Sequence, residues 1–284
     1  MAKSKYEYVK QFETCEKCLR NTWVAIRLDG RSFHRFSDSH GFEKPNDYRC
    51  IALMARCARE VMQEFTEIVL AYGQSDEFSF VLRPSCNLFG RRATKLATCM
   101  ASYFASSFVF HWAAHFEDVR MQYPVTFDGR AVCYPTVENL RDYLCWRQAD
   151  CHINNLYNTV FWSLVKKGLT GKEAETKLCG TVSSDKNEIL FTECNINYSK
   201  EPDVARKGTT FVWEEVVEEV PLHGPSASTS GSSEVTCLDA EVSTKHKEES
   251  KPAVTQRKRK RVAELHCDII GDQFWAERPA LLAR

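Results

Sequence analysis

The stretch that decides the fold is Ile68-Val-Leu-Ala-Tyr-Gly-Gln-Ser-Asp-Glu-Phe-Ser-Phe-Val-Leu82. Two apolar, β-prone runs flank the polar segment Gly73-Gln-Ser-Asp-Glu77. Runs of this kind on both sides of a short turn are typical of a β-hairpin. The sequence therefore predicts two antiparallel strands, with Asp76 at or beside the turn that joins them.

A further strand and two helices are predicted around this hairpin. Residues 22–28 form a short β-prone run that ends at Asp29-Gly30, a pair typical of turns. Apolar residues recur at helical spacing over residues 47–65, and the carboxylate of Asp47 suits a helix start. A long helix is predicted over residues 91–116. The order strand, helix, hairpin, helix indicates an α+β fold, with an antiparallel sheet packed against helices.

The long helix is apolar enough to raise the question of a membrane span. Residues 96–116 contain no Asp, Glu, Lys or Arg. Six polar side chains nevertheless recur along one side at steps of roughly four residues. They are Thr98, Ser102, Ser106, Ser107, His111 and His115. One polar stripe is typical of a helix packed into a water-soluble protein, so we expect no membrane partner.

The composition is that of an ordinary globular protein. The chain has 284 residues, 27% charged and 43% hydrophobic, which excludes a collagen-like, coiled-coil or wholly disordered chain. Lys and Arg number 38 and Asp and Glu number 38, a balance that argues against a globally basic nucleic-acid binder but is compatible with a local patch. The 13 cysteines include one isolated Cys15-Glu-Lys-Cys18, so we expect reduced thiols rather than a zinc site.

Two carboxylates are predicted to lie together at one edge of the sheet. Asp29 ends one strand and Asp76 lies at the hairpin turn. Carboxylates on adjacent strands can share two Mg²⁺ ions, the arrangement used in phosphoryl and nucleotidyl transfer. Gly30 has no Cβ, so its backbone carbonyl could approach the same ions. Glu77 is adjacent to Asp76 and, in a strand, points to the opposite face. The alternative is that these are turn residues without chemistry, and spacing alone does not exclude it.

Positive residues in the same elements are candidates for binding a triphosphate. They are Arg27, Arg31, Lys44, Arg91, Arg92 and Lys95. Arg92 and Lys95 are three residues apart and share a helix face. Taken singly, each of these residues could equally be a solvated surface charge.

A second helical stretch over residues 136–167 leads into the polar block His152-Ile-Asn-Asn-Leu-Tyr-Asn158. Amides can read base edges and an aromatic ring can stack on a base, which makes the block a candidate for RNA recognition. A helix cap with a polar surface is the alternative. Thr170-Gly-Lys-Glu173 predicts a capping box before a short helix, and residues 185–198 hold another.

The composition changes after about residue 213. An acidic stretch precedes Ser226-Ala-Ser-Thr-Ser-Gly-Ser-Ser233, which is typical of a flexible linker, and Arg257-Lys-Arg-Lys-Arg261 follows. The basic run is typical of a nuclear address or an RNA-binding tail, although it could also be merely solvated. We predict a catalytic domain over residues 1–135, a helical recognition region over 136–220, a disordered tail over 221–261, and a C-terminal segment over 262–284 that docks back onto the fold.

The sequence resembles the eukaryotic tRNA-His guanylyltransferases in a series of ordered blocks. The blocks span residues 26–36, 42–47, 72–80, 152–158, 185–191, 196–198 and 206–208. The resemblance covers about residues 1–213 and the segment from Phe274 to Pro279. Blocks of this length in this order are specific to the family, and they favour the functional interpretation over the alternatives given above.

The resemblance implies a core like the palm domain of polymerases and an enzyme that adds a guanosine to the 5′ end of tRNA-His. ATP would first adenylylate the tRNA 5′-monophosphate. The 3′-hydroxyl of GTP would then attack that phosphate and expel AMP, and pyrophosphate would be removed from the new end. Asp29, Gly30 and Asp76 would hold two Mg²⁺ ions, with Glu77 beside them as a third candidate catalytic residue.

The resemblance also assigns binding roles and partners. The candidate nucleotide-binding residues are Arg27, Asp29, Gly30, Arg31, Ser32, Phe33, His34, Lys44, Asn46, Ser75, Asp76, Arg92 and Lys95. The candidate tRNA-binding residues are His152, Asn155 and Lys207. The expected partners are tRNA-His, GTP, ATP and further copies of the chain in a homotetramer. We expect a cytoplasmic protein, with the basic run at Arg257 to Arg261 as a candidate nuclear address.

Three other functions are compatible with parts of this pattern. A template-dependent polymerase that repairs tRNA 5′ ends is the closest, and a palm-fold nucleotide cyclase would also use two carboxylates. The block over residues 152–158 favours the guanylyltransferase over both. A catalytically inactive tRNA-binding relative is the third, and the presence of both Asp29 and Asp76 argues against it.

Overall fold

The structure is a computed structural model that describes residues 4–221 and 254–283. The chain divides into a large compact unit, Met1–Trp213 with Val262–Arg284, and a small one, Glu214–Arg261. Every residue of the site described below belongs to the large unit. Most of the predicted disordered tail, residues 222–253, lies outside the described residues, so the disorder expected there stays a prediction.

A six-stranded sheet forms the centre of the fold. Its strands are β1 (Trp23–Gly30), β2 (Ile68–Gln74), β3 (Glu77–Leu82), β4 (Phe127–Tyr134), β5 (Thr209–Pro221) and β6 (Val254–Leu265). The order across the sheet is β4-β1-β3-β2-β5-β6. β1 pairs antiparallel with β3 and β4, and β2 pairs antiparallel with β3 and β5. The predicted hairpin and the α+β class are confirmed.

Eight α-helices accompany the sheet in the described part of the chain. They are α1 (Phe33–Ser39), α2 (Tyr48–Glu64), α3 (Ala93–His115), α4 (Val137–Lys166), α5 (Gly171–Leu178), α6 (Ser183–Thr192), α7 (Asp203–Lys207) and α8 (Asp272–Glu277). Asp47 caps α2, because its Oδ1 accepts a hydrogen bond from the Arg49 backbone amide at 3.0 Å. The predicted capping box of Thr170 and Glu173 is present at the start of α5.

Both faces of β1 are buried, because helices cover the sheet on each side. Val24, Ile26 and Leu28 pack in a cluster with side chains of α2 and α3. Trp23 and Ala25 pack in a second cluster with side chains of α4. Side chains alternate along a strand, so this pattern directs Arg27 and Asp29 to the α4 face.

The long helix α3 is an internal helix of the fold. Its buried apolar side chains, Leu96, Met100, Phe104, Phe108 and Trp112, recur every fourth residue and face the cluster shared with α2. Across the described ranges, no helix has both the length and the apolar character needed to cross a membrane.

The structure differs from the sequence prediction in the second half of the chain. The block over residues 152–158 is neither a cap nor a separate segment, because α4 runs unbroken from Val137 to Lys166. The region predicted as helical to residue 220 contains β5, and the predicted end of the tail at residue 261 falls within β6. The many charged residues suggested a solvated tail. Strand pairing depends on hydrogen bonds between backbone groups, however, so charged side chains that are exposed to solvent do not prevent it.

The C-terminal segment contributes apolar side chains to the α4 face of the sheet. Phe274 and Trp275 on α8 are both buried in the cluster that contains Tyr143 and Leu144 of α4. The Trp275 indole donates a hydrogen bond to the Ile269 carbonyl oxygen at 2.9 Å. The segment therefore completes the core beneath α4.

Candidate active site

The hairpin turn and the end of β1 meet at one edge of the sheet. Ser75, between β2 and β3, has a φ of 50°, in the left-handed region. The Gly30 amide donates a hydrogen bond to the Asp76 carbonyl oxygen at 2.9 Å. A Cβ at Gly30 would lie 2.7 Å from the Phe33 ring, so glycine permits this close packing. The structure therefore brings Asp29 and Asp76 together at the turn.

The two aspartates differ in their surroundings. Burial, followed by the nearby charge of Asp29, raises the pKa of Asp76 to about 6. Asp29 has a cation partner, because Arg27 Nη2 lies 2.5 Å from Asp29 Oδ2. The charges of Asp29 and, to a smaller extent, Glu77 repel an ionised Asp76, and a divalent cation bound between the Asp29 and Asp76 carboxylates would relieve the repulsion of that pair.

The donor atoms at the turn fit Mg²⁺. The carboxylates of Asp29 and Asp76 and the carbonyl of Gly30 are hard oxygen donors, and Mg²⁺ usually takes only one or two carboxylates from a protein. Among the residues that the structure describes, no group of three or more His, Cys, Asp and Glu side chains forms a fuller metal cage. Substrate phosphates and water would therefore have to complete the coordination of an ion bound here.

Glu77 lies beside Asp29 but is held by arginines. In the β1–β3 register Glu77 is directly opposite Asp29, so both side chains lie on the α4 face. The Glu77 carboxylate accepts from Arg27 Nη2 at 2.5 Å and from Arg147 Nη1 at 3.2 Å. Arg147 Nη2 also donates to Asp150 Oδ2 at 3.0 Å. Glu77 is thus the centre of a buried ion-pair network rather than an open carboxylate.

Two cavities adjoin at the hairpin turn. The first has a volume of about 390 Å³ and is lined by Arg27, Asp29, Glu77, Arg147 and Asn154, among others. The second has a volume of about 280 Å³ and lies on the side of α1 and the loop before α2. Both are lined by Ser75, Asp76 and Asn46. The carboxylate of Asp76 can therefore serve ligands on both sides.

The second cavity combines aromatic and cationic groups. Phe33, His34 and Lys44 line it, together with Trp162 of α4. Lys44 Nζ lies 2.8 Å from Asp38 Oδ1, and it also lies over the Trp162 ring at 5.8 Å from the centroid. An ammonium group beside an aromatic wall suits a ligand with phosphates and a planar base.

The remaining candidate nucleotide-binding residues line neither cavity. Gly30, Arg31 and Ser32 form the turn from β1 into α1, directly after Asp29. Ser32 has a φ of 53° and precedes the first residue of α1. These three residues are therefore next to the site because they follow Asp29 in the chain, but they form no part of the walls of the two cavities.

Arg92 and Lys95 lie at the opposite end of β1 from the aspartates. Arg92 directly precedes α3 and Lys95 lies in its first turn. Their neighbour Arg91 donates from Nη2 to the Thr22 carbonyl oxygen at 3.0 Å. Thr22 precedes β1 and Asp29 is near its far end, a separation of about 23 Å at the rise of a strand. Within one chain, the structure does not bring Arg92 and Lys95 to the hairpin turn. Their spacing predicted a common helix face, but not which end of the sheet that helix would begin at.

The three candidate tRNA-binding residues occupy two different places. His152 and Lys207 line a common surface cavity of about 510 Å³ between α4 and α7. Asn155 is buried: its Oδ1 accepts from Asn46 Nδ2 at 2.9 Å, and its Nδ2 donates to the Tyr198 hydroxyl at 3.0 Å. The structure therefore brings His152 and Lys207 together and places Asn155 in the wall of the first cavity.

Sequence reasoning missed Arg147 and Asp150. The sequence did contain a signal for Arg147, because it lies four residues after Tyr143 and four before Cys151, on one face of a helix. All three residues are buried in the structure, so the arginine lies on the buried face. A buried arginine needs an acid partner, which the sequence does not identify because Glu77 is 70 residues away.

Two protein-family models match the sequence over almost its whole length. The one described as "Thg1: tRNAHis guanylyltransferase" matches residues 6–135, and the one described as "Thg1 C terminal domain" matches residues 138–271. The first range ends after β4, and the second begins at the start of α4. The two matches therefore meet where the sheet is followed by the helix that faces the site.

Curated relatives are similar along the whole chain. The mouse protein named "Probable tRNA(His) guanylyltransferase" is 55% identical over 284 residues, covering 100% of this chain and 89% of the mouse protein. The tRNA(His) guanylyltransferase of Schizosaccharomyces pombe is 47% identical over 282 residues, covering 99% of this chain and 98% of that protein.

Solved structures share the fold. The crystal structure of the tRNA(His) guanylyltransferase of Saccharomyces cerevisiae has a TM-score of 0.70 and 47% identity, covering 72% of this chain and 92% of the other. A bacterial tRNA(His) guanylyltransferase-like protein, solved in complex with ATP, has a TM-score of 0.63 and 25% identity, covering 74% of this chain and 88% of the other.

Proposed function

This chain belongs to the tRNA(His) guanylyltransferase family, and we propose that its hairpin site adds a guanosine to the 5′ end of tRNA-His. The protein is a nucleotidyltransferase, with ATP and GTP as its nucleotide substrates. The observation that carries the assignment is that Asp29 and Asp76 converge in the first cavity and that Asp76 also lines the second. That arrangement lets the carboxylate of Asp76 serve a nucleotide in the second cavity and, together with Asp29, an RNA end in the first.

We propose a three-step reaction at this site. An oxygen of the tRNA 5′-monophosphate attacks the α-phosphorus of ATP, a P–O bond forms, and pyrophosphate leaves. The 3′-hydroxyl of GTP then attacks the tRNA phosphorus, its O–H proton is released, and AMP leaves with the electrons of the broken P–O bond. Hydrolysis of the new 5′-triphosphate releases pyrophosphate. Each step places negative charge on phosphate oxygens, which the site must offset.

Asp29, Asp76 and the Gly30 carbonyl are the groups that we propose would hold two Mg²⁺ ions. Such ions, when bound, stabilise charge on the attacking and leaving oxygens of an in-line displacement. The repulsion between Asp29 and Asp76 and the hard oxygen donors support this assignment. Arg27 pairs with one oxygen of Asp29, Oδ2, at the same edge.

We assign the nucleotide to the second cavity and the tRNA body to the outer side of α4. Lys44 and Asn46 supply polar groups for phosphates, and Phe33, His34 and Ser75 complete the cavity wall. His152 and Lys207 line one surface cavity and are the residues we propose to contact tRNA. Arg92 and Lys95 stay predictions as triphosphate ligands, since they lie away from this turn in the single chain.

Two further properties are proposals that accompany this function. A homotetramer would need an apolar surface for its contacts, and Val109 and Phe110 on α3 are exposed, Phe110 at 81%. We expect a cytoplasmic protein. The run Lys258 to Arg261 is exposed, as a nuclear address recognised by another protein would have to be.

The decisive experiment uses 5′-monophosphorylated tRNA-His transcript, α-labelled GTP, ATP and Mg²⁺. The wild-type protein should label tRNA-His and leave a tRNA-Phe control unlabelled, and Asp76→Ala should label neither. Asp142→Ala, which removes an exposed carboxylate of α4 that lines neither cavity, should behave as wild type. Equal labelling of tRNA-Phe would identify a broader repair polymerase. No labelling by the wild type, with tRNA binding intact, would identify an inactive tRNA-binding relative.

A further inference from the structure

Arg147 is a buried arginine whose contacts reach the catalytic hairpin from another part of the chain. Its side chain is only 3% exposed. Nη1 lies 3.2 Å from both oxygens of Glu77, Nη2 lies 3.0 Å from Asp150 Oδ2, and the guanidinium carbon lies 3.4 Å from the centroid of the Trp146 ring. Among the residues that the structure describes, its Nε has no hydrogen-bond partner. Two acids and an aromatic face therefore fix the plane and position of this guanidinium.

Glu77 transmits that position to the aspartate end of β1. The Glu77 oxygen that faces β1 accepts from Arg27 Nη2 at 2.5 Å, and the same Arg27 nitrogen lies 2.5 Å from Asp29 Oδ2. The chain Arg147–Glu77–Arg27–Asp29 therefore runs without a break from α4 to a proposed metal ligand. Charges alternate along it, so displacing one member leaves its neighbours with an unpaired charge in a largely buried place.

Helix α4 is fixed against β3 at two points, and their spacing explains the register. The Tyr143 hydroxyl lies 2.6 Å from Ser79 Oγ, and Arg147 reaches Glu77. Four residues of helix advance about 6 Å and two residues of strand about 6.6 Å, so both contacts form in one register. His152 lies five residues further along the same helix, on the surface proposed to meet tRNA.

We propose that Arg147 is a positioning residue for the nucleotidyl transfer site. It holds Glu77, and through Glu77 and Arg27 it fixes the carboxylate of Asp29 relative to the helix that carries His152. Glu77 then acts as a fixed structural anion between two arginines, and Asp29 and Asp76 remain as the carboxylates open to ligands. This inference rests on the proposed function of the hairpin site.

The test compares Arg147→Met with Arg141→Met. Arg141 is a matched control on α4: it pairs with Asp272, stacks on Trp275 and also has an unpartnered Nε, but it lines neither cavity. Arg147→Met should lower kcat for adenylylation of tRNA-His by about 10- to 100-fold, as expected when reacting groups are misplaced. The KM for ATP and the binding of unlabelled 5′-hydroxyl tRNA-His should change by less than about threefold. Arg141→Met should keep the wild-type kcat.

Two further variants separate positioning from general stability. Arg147→Lys keeps the charge but reaches one acceptor instead of two, so its kcat should lie between those of the wild type and Arg147→Met. The double variant Glu77→Gln with Arg147→Met should have a kcat no lower than that of the less active of the two single variants, because both substitutions act through the same contact. The melting temperature of each variant shows that the comparison is between folded proteins.

The outcomes have distinct meanings. The inference would be overturned if Arg147→Met were folded and had the same kcat as Arg141→Met. If Arg147→Met does not fold, a folded Arg147→Lys with the kcat of Arg141→Met would overturn it instead. Losses that multiply in the double variant would overturn it as well, because independent effects do not pass through Glu77. Failure of the wild-type protein to adenylylate tRNA-His would instead overturn the proposed function, and the unmutated sample in the same series shows this directly.

Discussion

Asn46 and Asn155 are 109 residues apart in sequence and joined by a side-chain hydrogen bond of 2.9 Å. Asn46 lies in the loop before α2, and Asn155 lies in the middle of α4. The other end of the Asn155 amide donates to the Tyr198 hydroxyl at 3.0 Å. The wall between the two cavities therefore contains a direct link from the nucleotide loop to the helix proposed to face tRNA.

Removing this link should impair nucleotide binding more than RNA binding. Asn155→Ala leaves the Asn46 amide without its acceptor and removes the hydrogen bond that the Tyr198 hydroxyl accepts. That hydroxyl is left with its longer bond to the His152 carbonyl oxygen, at 3.4 Å, so the free energy of unfolding should fall by about 1–3 kcal/mol. In ATP binding measured by calorimetry, Asn46→Ala and Asn155→Ala should show a coupling energy of about 0.5–3 kcal/mol. The control is the pair Asn46→Ala and Asn139→Ala, since Asn139 lies at the far end of α4. The effects of these two substitutions on the free energy of ATP binding should be additive. Additive losses in the first pair would contradict the link.

Asp76→Asn should stabilise the metal-free protein while abolishing activity. The pKa of Asp76 is raised to about 6 by burial and by Asp29, so the folded state binds its proton more tightly than the unfolded state does. The stability from this group is present at pH values below the unfolded pKa of 3.8 and is lost as pH rises through about 6. At neutral pH the asparagine removes a repulsion that we put at about 1–2 kcal/mol, allowing for screening at a partly exposed turn.

Thermal unfolding in the presence of a chelator tests this expectation. Asp76→Asn should melt at least about 2 °C higher than wild type at pH 7.5 and at the same temperature at pH 3.5. Added Mg²⁺ should raise the melting temperature of the wild type more than that of the variant, since the ion binds only the folded state. A lower melting temperature of the variant at pH 7.5 would show that Asp76 makes a favourable contact as an anion.

His152→Ala should reduce the preference for tRNA-His over other tRNAs. His152 is exposed, lies 5.5 Å from the Tyr198 ring and shares a cavity with Lys207. A stacking side chain contributes about 1–3 kcal/mol per base, so kcat/KM for tRNA-His should fall about 10- to 100-fold. Binding of ATP, measured without RNA, should be unchanged because His152 lines neither of the two cavities at the hairpin turn. An equal loss on tRNA-His and on tRNA-Phe would argue against a recognition role.

The sequence predicted the elements that have a strong local period. The hairpin, β1, α2 and α3 were predictable because alternate or fourth residues in them are apolar over a long enough stretch. Asp47 and Thr170 were predictable as caps because a capping side chain bonds to the backbone within three residues. The meeting of Asp29 and Asp76 followed from the same reasoning, since both end strands that were expected to be neighbours.

The contacts that organise the site could not be predicted from a local pattern. Arg147 reaches Glu77 only because α4 packs on β3 in one register, and Asn155 reaches Asn46 through the same packing. β4 was missed because its core-facing residues are small or half-exposed and leave a weak alternation. β6 was missed because a strand at the edge of a sheet tolerates the charged run at its start.

The connection between β5 and β6 should be replaceable, provided that both strands are kept. β5 ends at Pro221 and β6 begins at Val254, and the two are neighbours in the sheet. Later in β6, Val262 and Ala263 are buried in the clusters on the two faces, and Glu264 forms an ion pair with Arg59. Replacing residues 222–253 by a linker of about four residues, a usual hairpin length, should therefore leave labelling of tRNA-His within about twofold of wild type.

The larger deletion of residues 221–261 should behave differently. It removes the first part of β6, so Val262 and Ala263 would have to hold their place at the sheet edge without the strand that precedes them. We expect a lower melting temperature for this deletion than for the first, measured in the same buffer, and a loss of labelling that follows the loss of folded protein. A folded but inactive 222–253 replacement would contradict the expectation, since it would place a catalytic or RNA-binding role in the removed residues. Equal melting temperatures of the two deletions would show that β6 adds no stability before Val262.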